Sequence, residues 1–230
     1  MPATLSDSFL TYAADAVFPS TGTFARLLLI SGTLATGLGF TANSTTNELT
    51  TSSAHGLVTG SRVRVAATTT VPTPLSAATD YYAIVTATTT LKLATTLANA
   101  LAATEIDLSD TGTGTLTLNE QELTGADSIA VLVNKELPAT GGYARMAISD
   151  VGAASIVSSN GEKPPKVVTF TNSGGSNIDY KHHLVAYGAG TTVGSATGIT
   201  AYALKTEAST QTTVPGQTRA ITLNLRAKPV

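Results

Sequence analysis

The sequence predicts an all-β protein, a β-sandwich with an N-terminal helix and an inserted small β-barrel-like domain. The 230 residues include 42 Thr and 34 Ala, together a third of the chain, and β-branched Thr favours strands. The 20 Gly and 9 Pro supply turn residues between short apolar segments. A hydrophobic fraction of 42% is sufficient for a packed core, which argues against a disordered chain.

The first 39 residues predict a helix, a strand and a hinge. Thr4 is a suitable helix cap, and apolar residues from Leu5 to Val17 recur near helical spacing. The Phe18-Pro19 pair ends this pattern. A strand is predicted over 24–31, and a glycine-rich hinge follows it.

The composition changes over residues 40–119. This segment has three basic and five acidic residues, a charge of −2, whereas the remainder of the chain is neutral. Short strands are predicted at 47–52, 61–67, 81–87, 90–94 and 113–118, with a helix at 95–102 that carries Leu97 and Leu101 on one face. This spacing predicts a small β domain at 40–119, inserted into a sandwich formed by 1–39 and 120–230.

The segment 120–230 again alternates short apolar stretches with turn residues. Strands are predicted at 128–134, 143–149, 166–171, 179–187, 199–206 and 218–226, with a flexible loop at 172–177. Within 179–187, Tyr180, His182 and Leu184 alternate with Lys181 and His183, the period of two that is typical of a strand.

Composition and charge exclude several classes of protein. A net charge of −2 argues against a nucleic-acid or anionic-membrane partner. The absence of Cys excludes disulfides and thiol catalysis. No secretory signal is visible at the N-terminus, and no apolar run is long enough to span a bilayer. The weakly charged Thr/Ser/Ala surface is typical of a protein packed against its own copies or a larger particle.

Residues that often bind metals or substrates have contexts here that indicate structural roles. Adjacent His182 and His183 on a strand point to opposite faces and cannot share a metal. His55 lies in a turn, where its ring is expected to bond backbone groups. The acidic residues of one solvated edge lack the spacing of a calcium loop: Glu105, Asp107 and Asp110.

Motifs of the common enzyme classes are also lacking. The run TGTGT at 111–115 resembles a phosphate loop, but the Lys and the following helix are missing, so we expect a tight turn into a strand. No nucleophile elbow, zinc motif or dinucleotide fingerprint occurs. The sequence therefore predicts a protein that is not an enzyme, with no catalytic, cofactor-binding or metal-ligating residue.

Several motifs within 40–119 occur in an order that resembles a known module. They are AHGLVTGSRV at 54–63, LSAATDYY at 75–82, LKLA at 91–94 and TGTGT at 111–115. The module is a β domain that is widespread in virion proteins of tailed bacteriophages, where it is inserted or appended. The resemblance implies a building block of a virion.

The flanking sequence resembles a second family of small phage virion proteins, described as tail-fibre-like or head-decoration proteins. The resemblance covers 1–35 and 135–230, and it is carried by 6–18, 25–30, GGYAR at 141–145 and VPGQ at 214–217. The module at 40–119 interrupts this pattern just after the first strand. An insertion there is tolerated because the ends of a loop lie close together.

These resemblances imply a capsid decoration or cement protein whose partners are the major capsid protein and copies of itself. The segment before Ser20 and residues 226–230 are the candidates for capsid contacts. One alternative is a receptor-binding tail or head fibre component that grips a host glycan, for which the following tyrosines could stack on sugars if they are exposed: Tyr81, Tyr82, Tyr187 and Tyr202. Another alternative is a tail adaptor subunit. We expect a homotrimer, because scarce charge leaves strand edges to be covered by a partner, and the number three comes from the family.

Overall fold

The computed structural model describes residues 23–139, 143–149, 155–157, 160–162, 166–188, 192–197, 199–223 and 226–227. The predicted N-terminal helix and the predicted capsid contact before Ser20 lie outside these residues. Among the described residues strands greatly outnumber helices, which confirms the all-β fold class. The chain divides into two compact units, Met1–Ser31 with Glu136–Val230, and Gly32–Lys135. We call them the sandwich unit and the barrel unit.

The helices and strands follow one another along the chain in short segments. In chain order they are β1 (Thr23–Ile30), β2 (Leu38–Asn43), β3 (Glu48–Thr51), β4 (Arg62–Ala67), β5 (Tyr81–Val85), β6 (Thr90–Ala94), α1 (Leu97–Leu101), β7 (Leu116–Glu120), α2 (Ile129–Asn134), β8 (Met146–Ser149), β9 (Ser155–Val157), β10 (Asn160–Glu162), β11 (Lys166–Thr171), β12 (Ile178–Gly188), β13 (Ile199–Thr213), β14 (Thr218–Leu223) and β15 (Arg226–Ala227).

The barrel unit is a closed antiparallel barrel with the strand order β2-β3-β6-β5-β4-β7. Alternate side chains point inward, as Val63 and Val65 do on β4 and Leu91 and Leu93 do on β6, and all four are at most 2% exposed. Closing the sheet removes the free edges that an open six-stranded sheet would leave for other chains to pair with.

The barrel unit extends beyond the predicted limits of 40 and 119 at both ends. Leu38 of β2 pairs with Leu118, so the predicted glycine-rich hinge is partly strand. The backbone N–H of Ala35 donates to Oε2 of buried Glu120 (2.9 Å), and Lys135 Nζ donates to the same oxygen (2.6 Å). Residues on both sides of 40–119 therefore complete this unit.

The segment 128–134 was predicted as a strand, and this prediction is wrong, because Ile129–Asn134 is helix α2. Ser128 caps the helix by accepting a hydrogen bond from the N–H of Val131 (3.4 Å). A short apolar run has the same appearance in a strand and in a buried helix. In α1, Ala100 is buried and Leu101 is 61% exposed, so the predicted Leu97–Leu101 face is not the buried one.

The sandwich unit packs a four-stranded sheet, in the order β13-β12-β1-β8, against the antiparallel pair β11–β14. Its core combines Leu27 and Leu29 of β1 with Phe170 of β11 and Ile221 of β14. Tyr180 of β12 meets Phe170 edge to face, with ring centroids 6.1 Å apart. A further small sheet has the order β15-β10-β9.

Strand limits in the sandwich unit differ from those predicted. β13 continues beyond the predicted end at 206 to Thr213, and β14 ends at Leu223 before the chain pairs again as β15. β8 begins at Met146 rather than at 143. The short strands β9 and β10 were not predicted.

Candidate functional site

His55 has the structural role predicted for it. The backbone N–H of Leu57 donates to its Nδ1 (3.0 Å), so Nε2 carries the proton and donates to the carbonyl oxygen of Ala87 (2.9 Å). The side chain is buried, at 4% exposure. Both ring nitrogens are therefore used in holding a turn of the barrel unit.

The acidic residues of the barrel unit do not converge on one point. Glu105 accepts a hydrogen bond from Lys92 Nζ (2.8 Å), and this contact lowers the pKa of the Glu105 carboxyl. Oδ1 of Asp110 accepts from the N–H groups of Thr73 (3.0 Å) and Gly112 (2.9 Å), which lower the pKa of that carboxyl. Within the described part of the chain, no group of three potential metal ligands occurs.

The TGTGT run forms a tight turn that leads into β7, as predicted. Gly112 and Gly114 both have positive φ, +68° and +83°. A Cβ at Gly112 would lie 2.7 Å from the carbonyl oxygen of Thr70, so only glycine fits there. The backbone N–H of Gly112 is already engaged by Asp110, and the run is not arranged to cradle a phosphate.

The tyrosines proposed to stack on glycans are only partly available. Tyr81 is 6% exposed, and its hydroxyl accepts a hydrogen bond from the N–H of Ser76 (2.8 Å), so it does not meet the condition of exposure for stacking on a sugar. Tyr82 packs against a small cluster that contains Ala94 and Ala100. The side chains of Tyr187 and Tyr202 lie outside the described residues.

The C-terminal segment predicted to contact the capsid is described only for the backbone of Arg226–Ala227. This pair forms β15 and is antiparallel to β10, with Ala227 opposite Gly161. The remaining residues of 226–230 lie outside the described part of the chain.

A buried ionic network in the sandwich unit was not anticipated. Glu136 accepts four hydrogen bonds: Oε1 from the Tyr143 hydroxyl (2.9 Å) and Arg145 Nε (2.9 Å), and Oε2 from Arg145 Nη2 (2.7 Å) and the N–H of Gly194 (2.7 Å). The Tyr143 oxygen in turn accepts from the N–H of Leu29 (3.0 Å). Burial raises the pKa of Tyr143 strongly, with the Glu136 charge adding to the effect.

This network joins β1 to the segment before β8, and its role is to satisfy buried groups. The side chains of Glu136 and Arg145 are 0% and 1% exposed, so neither meets a ligand from solvent. The two residues are nine positions apart in segments without regular periodicity, and no sequence motif marks the pairing.

A bulge in β13 determines what the two histidines of β12 contact. Tyr180 lies opposite Gln211 on β13, whereas His182 lies opposite Thr206, so a single residue of β12 faces the four residues 207–210. Such a bulge interrupts the alternation of side chains along a strand. Tyr180 therefore lies in the core of the sandwich unit and does not share a face with His182, contrary to the strict alternation predicted from the sequence.

The prediction that the two histidines point to opposite faces is confirmed. Nδ1 of His182 lies 2.9 Å from Oγ1 of Thr206 on one face. On the other face, the ring of His183 is 5.1 Å from that of Tyr180, and its Nδ1 is 3.2 Å from Oε1 of Glu207. The contact with Glu207 is close but is not aligned as a hydrogen bond.

A cavity of about 210 Å³ lies beside His183. Its lining comes from β12, β13 and β14 and comprises Tyr180, His183, Lys205, Glu207, Arg219, Ala220, Ile221 and Thr222. Lys205 Nζ lies 3.0 Å from Oε1 of Glu207. Arg219 is the second cationic side chain of the lining, so the lining has two cations and one carboxylate. Lys205 hydrogen bonding lowers the pKa of Glu207, whereas burial lowers the pKa of His183 and raises that of Tyr180.

Comparisons with known proteins assign no family to the chain. No protein-family model, curated protein or solved structure matches it. None of the helices in the described part is sufficiently long and apolar to span a membrane. Functional inference therefore depends on the residues themselves, and the cavity beside His183 is the one described cluster that combines burial, charge and an opening to solvent.

Proposed function

We propose that the chain is a non-enzymatic structural protein of a tailed-bacteriophage virion, a decoration or cement protein on the outside of the capsid. The major capsid protein and copies of this chain, assembled as a homotrimer, are its partners. The motif resemblances over 1–35, 40–119 and 135–230 supply the virion context. The observation that carries the cement role is the chemistry of the exposed strand surfaces.

Exposed threonines on both units bond to one another rather than presenting charge. Hydroxyl pairs join Thr70 to Thr113 (2.7 Å), Thr86 to Thr90 (2.9 Å) and, in the sandwich unit, Thr171 to Thr218 (2.7 Å). Cross-strand Thr pairs of this kind stabilise a sheet. Such a surface supports many shallow contacts with neighbouring subunits, with little charge to desolvate.

The number of copies per particle tests this proposal. Quantitative mass spectrometry of purified virions of the encoding phage should find hundreds of copies, and removal of the tails should leave those copies with the heads. A few to some tens of copies that leave with the tail would contradict the cement role and would favour the fibre or adaptor. Binding of a host polysaccharide by the purified protein would favour the fibre, and its hydrolysis would contradict the non-enzymatic assignment.

A further inference from the structure

The cavity beside His183 has the features of a ligand site, and we propose that it binds a protonated oxyanion of the phosphate class. The ligand would be inorganic phosphate, whose hydrogen phosphate form keeps one O–H group at neutral pH. This inference concerns the sandwich unit alone and does not depend on the virion role.

The charges around the cavity favour an anion. Lys205 and Arg219 face the single carboxylate of Glu207, which leaves one positive charge in excess. Arg219 hydrogen-bonds Gln211, and it lies close enough to Tyr180 to lower the pKa of that hydroxyl against the larger, opposite effect of burial. A guanidinium has five N–H donors, so some N–H groups of Arg219 remain available to a ligand. Phosphate oxygens match the geometry of these donors.

His183 determines which oxyanion fits. Its side chain is 6% exposed, and its Nε2 has no hydrogen-bond partner among the described residues. Glu207 is ionised, because its pKa is lowered, and its Oε1 lies 3.2 Å from Nδ1 of His183. The two atoms are not aligned as a hydrogen bond, but the negative charge favours the proton of neutral His183 on Nδ1. Nε2 is then a buried acceptor without a partner, on a side chain that lines the cavity, and leaving it unpaired is costly.

An acceptor at Nε2 requires a ligand that can donate one hydrogen bond and accept several others. Hydrogen phosphate has this combination, because its O–H group can donate to Nε2 while its other oxygens accept from Arg219 and Lys205. Sulfate lacks the proton at neutral pH. The volume of the cavity is about 210 Å³, whereas one water occupies roughly 30 Å³ in the liquid. The cavity can therefore hold an ion that is several times larger than a water molecule, such as phosphate.

A metal cation is a poorer occupant of the same cavity. Two cationic side chains would repel it, and the described residues provide no cluster of three metal ligands. The competing ligands to be tested are therefore anions of similar size and different protonation.

Proton–nitrogen NMR of the three histidine rings gives the direct test, in phosphate-free buffer at pH 7.5 and constant ionic strength. Addition of inorganic phosphate should shift the His183 ring resonances saturably. His55, in the barrel unit, and His182, on the other face of β12, are internal controls whose resonances should not move. Sulfate at equal concentration should bind at least about tenfold more weakly, since it cannot donate to Nε2.

Methyl phosphate gives a second test of the O–H group, because at pH 7.5 its dianion has lost its last O–H proton and can only accept hydrogen bonds. It should therefore bind at least about tenfold more weakly than inorganic phosphate, and equally tight binding would contradict the role given to Nε2. The absence of a saturable His183 shift with inorganic phosphate would overturn the proposal. Sulfate binding as tight as that of phosphate would overturn the role given to Nε2.

Substitutions at the exposed end of the cavity test the cationic contacts without disturbing the core. Lys205 is 68% exposed, and K205Q is expected to fold normally and to weaken phosphate binding about threefold or more. R219Q should weaken it about tenfold or more, because a charge-assisted hydrogen bond is lost. The matched control is R64Q in the barrel unit, where Arg64 pairs with Asp80. Equal binding by R219Q and R64Q would contradict the proposed site.

Discussion

Replacing Glu136 by Gln should destabilise the sandwich unit by about 4 kcal/mol. Each carboxylate oxygen of Glu136 accepts two hydrogen bonds, from Tyr143 and Arg145 at Oε1 and from Arg145 and Gly194 at Oε2. Whichever oxygen becomes an amide nitrogen, two buried donors lose their acceptor, at about 1–3 kcal/mol each. A similar loss of stability, about 3–5 kcal/mol, is expected from leaving the buried Arg145 charge without its counter-ion.

Hydrogen exchange measured by mass spectrometry is the suitable assay, because it reports on the two units separately. E136Q should lower the protection of peptides from β1 and β12, whereas peptides from the barrel strands should keep theirs. The matched control is E105Q, which makes the same chemical change in a solvent-accessible pair with Lys92 and should leave protection unchanged throughout.

A double-mutant cycle separates the ionic network from simple loss of packing. R145M alone should also destabilise the sandwich unit, because it leaves the Glu136 charge buried. The double variant E136Q/R145M should be destabilised by clearly less than the sum of the two single variants. Strict additivity, or a loss below about 1 kcal/mol for E136Q, would refute the reasoning.

The remaining predictions concern the turn, the limits of the barrel unit and the pH dependence. G112A should destabilise the barrel unit more than G56A: both have positive φ, which costs about 1–2 kcal/mol for alanine, but only Gly112 also has backbone atoms within 3 Å of the added Cβ, so equal urea midpoints would contradict this. A fragment 32–135 should unfold cooperatively in urea and a fragment 40–119 should not, and equal cooperativity would contradict the assigned limits. Because the pKa of His183 is lower in the folded than in the unfolded protein, His183 becomes protonated at a higher pH in the unfolded chain. Stability should therefore fall as pH drops below about 6.5, and less so in H183Q, as measured by urea unfolding in phosphate-free buffer; equal pH slopes would contradict this.

The pH prediction includes every charged group that faces His183. Glu207 favours the protonated ring, whereas Lys205, Arg219 and His182 disfavour it, and burial is the largest effect. The carboxylate of Glu207 titrates at lower pH, because its own pKa is lowered. The difference between the wild type and H183Q below pH 6.5 therefore reports on His183.

Much of the fold follows from local patterns in the sequence. The strand predicted at 166–171 has the observed limits, and those predicted at 61–67 and 90–94 differ by one residue or less, because alternation of apolar and polar residues is a property of the strand itself. β2 was missed, since Gly37 and Gly39 resemble a turn. The apolar run 129–133 was misread because its length fits either element, although Ser128 is a helix-capping signal.

The candidate site could be predicted only in part. The sequence predicted that His182 and His183 lie on opposite faces, because adjacent strand residues always do. It could not predict the cavity, because the bulge of β13 that contains Glu207 and the approach of Arg219 depend on pairing between distant strands. The contacts of Glu136 were hidden for the same reason.

Reconstruction of the encoding phage particle by electron cryomicroscopy tests the central proposal most directly. The account predicts density for the sandwich and barrel units on the outer surface of the capsid, in groups of three copies that bury at least about 1,000 Å² between neighbours. Density for this chain in the tail would contradict the capsid role, and copies that sit singly on the shell without contacting one another would contradict the trimer.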